Sequence, residues 1–289
     1  MAKLTDQLMN EQEAKTFIAR HFGKQADLLS ELREYGLFLL SRCYLSKPVR
    51  TTRDFVALGV LLRQVIAMLD SVHILVKEGA VTASFPPART LMEASIALQW
   101  VLGREGAEQF YFVWNLRQQL HASERGGADD DAAVKAREGI AGMLASDECR
   151  ELNRAFDDLK ERDPRRREPS WYEPSGAGSF VDLAEDAGRG DEYRAFLALY
   201  DTAVSGAVLG GRSGTAIPAA LEPIRHPVRI IQVLPAVFGG VLASYRNVIE
   251  LYRPGELNDF RLKSLMEWEP VFADLPAIQA GGGELEPGD

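Results

Sequence analysis

The chain is poor in the side chains that most often carry metal, redox or nucleophilic chemistry. Its 289 residues include two cysteines, Cys43 and Cys149, and four histidines, His21, His73, His121 and His226. Two cysteines without ligand spacing exclude a zinc ribbon and a disulfide framework, and they suit a reducing compartment, so a cytoplasmic location is expected. Asp70 and His73 have the carboxylate-x-x-His spacing of di-iron bundles. Such a site needs a second copy of the motif and two further glutamates on other helices, and no second copy is evident. No metal and no cofactor are therefore expected. A G-x-S-x-G elbow is missing, and neither cysteine sits in a nucleophile motif.

A basic surplus is missing too. The formal net charge is −9, which excludes a general electrostatic grip on nucleic acid or anionic lipid. The local exception is Arg165, Arg166 and Arg167, diluted by Glu161, Asp163 and Glu168 and without a stacking aromatic before Trp171. Residues 161–174 read as a surface loop, and nucleic acid is expected to bind only through those three arginines if at all. No apolar run reaches membrane-span length. Residues 230–245 come nearest, but they fall short of the ~20 residues required, and Pro235 interrupts them. They predict a buried, kinked helix and no membrane partner. The first residues lack an apolar signal core, so no signal peptide is expected. Residues 206–213, G-A-V-L-G-G-R-S, resemble a phosphate loop with Arg212 where lysine belongs. A helical pattern precedes them where a strand is needed, so they read as a glycine helix stop.

What the chain does have is helical periodicity. No alternating strand pattern and no internal repeat appear, so the predicted class is all-α, an up-and-down helical bundle. Residues 1–278 are expected to form one domain, with helices 4–45 at its periphery and 279–289 as a disordered tail. Thr51 or Thr52 caps a helix that runs to about Glu78 and stops at Gly79. Its solvated face carries Arg63, Asp70 and Lys77, with His73 at the boundary. Residues 84–103, opening on Pro86-Pro87, form a helix that is apolar nearly all round, which belongs inside a bundle. The predicted central rod is residues 87–102. Arg89 and Glu93, one turn apart on it, must find partners in each other or in a neighbouring helix.

Gly103 and Gly106 turn the chain into a second helix, 107–124, that carries Phe110, Tyr111, Phe112 and Trp114. Phe110, Trp114, Arg117 and His121 fall on one stripe. Two antiparallel helices joined here would bring Arg89, Glu93, Trp100, Tyr111, Trp114, Arg117 and His121 towards one polar-aromatic pocket. The competing expectation is a buried ion pair that fixes helix register among ordinary core aromatics. Further on, a short helix is predicted at 180–186 and an amphipathic one at 191–209. Tyr193, Phe196, Leu197, Tyr200 and Val204 of the latter are expected to face inward.

The stretch from Leu75 to Trp100, with G-A-V-x-A-S followed by R-T-L-M-E, resembles a bacterial helical-bundle family of unknown function. Its members show a long helix, a glycine, an R-[ST]-L-x-E helix, then a Trp-Tyr segment and a tyrosine-rich helix. The counterparts here are Trp171-Tyr172 and residues 193–206. The family's tyrosine-rich helix ends in a serine followed by a histidine, whereas here Leu209 stands at that spacing from Ser205. The resemblance implies a helical bundle. It extends distantly to the HEPN group of helical nucleases and antiviral toxins, whose motif is arginine, four to six residues, then histidine. Arg117 and His121 have three residues between them. The leading expectation is a non-enzymatic cytoplasmic binding or regulatory protein that self-associates, most simply as a dimer. By family analogy it would serve a bacterial stress or phage-defence system. A HEPN-like ribonuclease using Arg117 and His121, and a small-ligand sensor, are the alternatives.

Overall fold

The computed structural model describes residues 9–46, 50–126, 131–162, 168–206, 224–225, 227–273 and 275. Among them no strand occurs, and the fold is an all-α helical bundle. The expected tail 279–289, Arg165–Arg167, and all of the phosphate-loop-like stretch after Gly206 lie outside the described residues.

The chain divides into two compact units that interleave in sequence. The first comprises the described residues of Met1–Leu39, Gln64–Met92 and Ala195–Asp289, and the second those of Leu40–Arg63 and Glu93–Arg194. In order, the helices are α1 (Glu11–Leu45), α2 (Thr52–Lys77), α3 (Phe85–Gly103), α4 (Ala107–Gly126), α5 (Asp131–Leu144) and α6 (Asp147–Arg162). There follow α7 (Phe180–Asp186), α8 (Gly190–Asp201), α9 (Ile230–Tyr252), α10 (Leu257–Lys263) and α11 (Glu269–Ala273).

The helix boundaries follow local chemistry. Thr51 and Asp54 form a reciprocal capping box: the Asp54 amide donates to Thr51 Oγ1 at 3.2 Å, and the Thr51 amide donates to Asp54 Oδ2 at 3.0 Å. Two otherwise orphaned amides are thereby satisfied at the start of α2. The helix then passes through a π-helical run, Phe55–Leu62, before regular α geometry resumes at Arg63. It ends where expected. Gly79 takes φ +71°, and the Ala80 amide donates to Leu75 O at 2.8 Å. α1 is one helix bent at Phe22, whose φ −132° and ψ 17° leave helical space just before Gly23.

The first unit is organised around Tyr245 of α9. Its ring is wholly buried and its hydroxyl donates to Leu32 O of α1 at 2.8 Å. Gly36, one turn further along α1, makes room for it: a Cβ there would lie 2.7 Å from Tyr245 Cζ. Tyr35 and Phe260 close the ring contacts around Trp268, whose Nε1 donates to Glu31 Oε1 at 2.9 Å.

Several expectations need correction. Asp70 keeps 41% side-chain exposure, but it is also tied to α1, where Arg33 Nη1 donates to its Oδ1 at 2.7 Å. Residues 168–174 are not a surface loop: Trp171 is 8% exposed and Pro169 is buried. Val204 is 43% exposed, and Ala203 is buried in its place. The cause is the π-helical turn Thr202–Gly206, whose longer repeat rotates the inward face. The membrane-span shortfall expected of the apolar stretch around Pro235 does not hold for its helix. Pro227–Tyr252 and Thr52–Lys77 are each 26 residues and apolar enough to cross a bilayer, with half of each apolar window buried inside the fold.

The expected rod is enclosed. Leu91, Met92, Ile96, Leu98 and Val101 have no exposure, and Trp100 has 3%. α3 is shared between the units, the first ending at Met92 and the second resuming at Glu93.

Candidate functional site

The site grows from one buried cation. On α4, Val113 and Leu116 pack with Leu144 of α5 and with Cys149 and Phe156 of α6. This apolar three-helix seam fixes the face on which Arg117 also lies, so the guanidinium is carried inward to 6% exposure. A charge so placed requires partners. Its Nε donates to Glu168 Oε1 at 2.6 Å, and its Nη1 donates to Asn153 Oδ1 at 2.6 Å and to Asp157 Oδ1 at 2.8 Å. The Phe156 ring lies 5.4 Å from the guanidinium carbon.

Glu168 is the junction. Lys160 Nζ donates to its second oxygen at 3.0 Å, and His121 Nε2 lies 3.5 Å from the same oxygen. Burial opposes ionisation of this carboxyl, but the hydrogen bonds from Arg117 and Lys160 outweigh it and hold its pKa below the usual carboxylate range. His121 Nδ1 faces Glu124 Oε2 at 3.4 Å. Its Nε2 has almost no solvent contact and no hydrogen-bond partner among the described residues, since 3.5 Å from Glu168 is outside good geometry.

Above this floor opens a cavity of about 590 Å³, lined by Trp114, Gln118, His121, Glu124 and Arg125 of α4, Lys160 of α6, and Glu168, Pro169 and Ser170. Its aromatic wall continues inward as a series of ring contacts. Trp114 meets Tyr111 at 5.6 Å, Tyr111 meets Trp171 at 5.4 Å, and Trp171 meets Trp100 at 5.6 Å. Trp100 is fixed at its far edge, where Nε1 donates to Asp186 Oδ2 at 2.7 Å. Burial raises the Tyr111 phenol above its ordinary pKa.

Of the seven residues expected to share a pocket, Trp114 and His121 line the cavity, and Arg117 supports its floor. Tyr111 and Trp100 back its wall through Trp171. Glu93 belongs to a separate network of the second unit. It is half-buried and accepts a hydrogen bond from Tyr193 Oη at 2.6 Å. Nearby, Arg189 donates from Nη1 to Ser95 Oγ at 2.7 Å and pairs with Glu192. Arg89 lies in the first unit, half-buried, its guanidinium carbon 5.0 Å from the Tyr200 ring centre. The partners of both charges thus include residues of a neighbouring helix. Glu168, Lys160 and Gln118 are the site residues that sequence reasoning missed. A buried Arg117 on an apolar stripe was the available signal for a carboxylate partner, but nothing local in the sequence points to Glu168, 51 positions away.

The profile of the Family of unknown function (DUF5677) matches residues 55–204, which contain the whole cavity. The chain belongs to that family. No curated protein and no solved structure matches it. The matched segment of this family member also spans the enclosed part of α3 and the Glu93–Tyr193 contact.

Proposed function

We propose that this family member is a non-enzymatic binding module that holds a small molecule in the cavity floored by Glu168. The observation that supports this reading most is the cavity itself. At about 590 Å³ it lies within the usual size range of small-molecule sites, and it combines an aromatic wall with a few convergent polar groups. The ring contacts behind Trp114 and the ion network under Glu168 hold both surfaces in place before any ligand arrives, which lowers the cost of ordering on binding. A binding or regulatory role in the cytoplasm is the corresponding biological reading.

A HEPN-like ribonuclease would need Arg117 and His121 at the RNA. Arg117 instead spends its donors on Glu168, Asn153 and Asp157, an arrangement that supports a structural role for it. The test is native mass spectrometry of the purified chain, followed by thermal-shift screening of a metabolite panel against wild type and Trp114→Ala. A retained or stabilising small molecule, lost in the variant, is the expected result. An empty protein that no compound stabilises would end this reading. Cleavage of labelled RNA that disappears in His121→Ala would replace it with the nuclease.

A further inference from the structure

We infer that the ligand is a planar ring compound bearing one anionic group, with the ring against Trp114 and the anion at Lys160 and Arg125; this rests on the binding reading above. The placement of donors carries the argument. Lys160 has three donor hydrogens and is matched to one oxygen of Glu168, and its side chain is 45% exposed. Arg125 uses Nε on the His121 carbonyl at 3.2 Å, which anchors the guanidinium to α4, and its side chain is part of the cavity lining.

Of the two carboxylates on the lining, Glu168 is the one answered by two cations. Glu168 receives Arg117 from beneath as well as Lys160, and Glu124 faces His121. Asp157 offsets Arg117, but it does not line the cavity. Charged donor capacity on the lining is therefore concentrated on Lys160 and Arg125, although the chain as a whole is acidic. A carboxylate or a phosphate would use it, whereas a cationic ligand could reach Glu168 only by displacing Arg117 or Lys160. Charge-assisted bonds of this kind are the strong ones.

Two further features point into the same space. Trp114 offers an indole whose inner neighbours are rings, so it suits stacking by a flat molecule. Gln118 and Ser170 on the same lining offer neutral hydrogen-bonding groups to a polar edge of the ring.

Isothermal titration of the full chain with adenosine monophosphate, indoleacetate, adenosine and inorganic phosphate tests the assignment. Adenosine monophosphate or indoleacetate is expected to bind about tenfold or more tightly than adenosine, as one charge-assisted bond implies. Phosphate alone should bind far more weakly than either. Lys160→Met should remove most of the advantage of the anion, Trp114→Leu should weaken every ring-bearing probe, and Trp114→Phe should stay within a few-fold of wild type. Circular dichroism confirms that each variant is folded. A preference for the phosphate-bearing over the carboxylate-bearing probe identifies the anion within the assigned class. Equal affinity for adenosine and its monophosphate, or phosphate binding as tightly as the nucleotide, overturns the assignment. If no probe binds while native mass spectrometry finds an uncharged or cationic molecule retained, the assignment falls and the binding reading stands; if nothing is retained and nothing binds, both fall.

Discussion

The two units solve the problem of a buried polar group in opposite ways. In the first, Tyr245 is wholly enclosed, and its single hydroxyl is satisfied by one backbone carbonyl, Leu32 O. The Tyr35 ring packs against it, and the fit depends on the missing side chain of Gly36. In the second, Arg117 is enclosed but spreads its donors over Glu168, Asn153 and Asp157, and the carboxylate it holds is shared with a cavity. One interior is enclosed and sterically exact in its demands; the other is polar, redundant and open on one side. Neutral interiors of the first kind stabilise through packing, whereas charged ones of the second kind are retained where they also do something else.

The largest effect that would test this contrast is steric. Gly36→Ala places a methyl group against the Tyr245 ring, which its hydrogen bond and close packing prevent from swinging away. A loss of about 3 kcal/mol is expected from overpacking of that kind, measured by urea unfolding. A change under about 1 kcal/mol would mean that the first interior is softer than described.

Next comes Glu168→Ala, with an expected loss of about 2 kcal/mol. That is below the cost of stranding a buried charge outright, because Arg117 keeps Asn153 and Asp157. The variant also has a pH signature. The folded pKa of Glu168 lies below its unfolded value, so its contribution is present above the unfolded value and is lost as pH falls through the folded one. The variant should therefore approach wild-type stability in acid, and a constant gap from pH 7 to about pH 3 would contradict the network.

The smallest effect is Tyr245→Phe, about 1 kcal/mol at neutral pH for one lost hydrogen bond. Burial raises the folded pKa of this phenol well above the ordinary 10.0. The unfolded chain alone then ionises above that pH, and stability falls as pH rises. Phenylalanine removes this loss, so the variant should overtake wild type in alkali. Tyr111→Phe, at a half-buried phenol of the second unit, should flatten the alkaline limb less. Equal flattening by the two would erase the distinction between the enclosed interior and the open one.

The parts of this protein that were legible in advance are the ones fixed within a few residues. The cap at Thr51, the glycine stop at Gly79 and the short helix Phe180–Asp186 are local events, decided by dihedral preference and neighbouring donors. The enclosure of α3 was legible because an all-round apolar helix has nowhere else to go. The inward Val204 failed because a π turn shifts the face without a pattern that announces it. The pocket was half legible. Trp114, Arg117 and His121 share a stripe that the sequence itself defines, so their coming together needed only a helix.

Sequence alone determined the all-α class, the main helix ends, the scarcity of cysteine and histidine, and the fact that Arg117 would need a counter-charge wherever it was buried. Only the tertiary structure decided that the counter-charge is Glu168, that Tyr245 fills the gap at Gly36, and that Glu93 answers Tyr193. The reason is physical. Backbone propensity and periodicity act over one or two turns of chain, whereas the choice of partner for a buried polar group depends on which distant segments packing brings within about 3 Å.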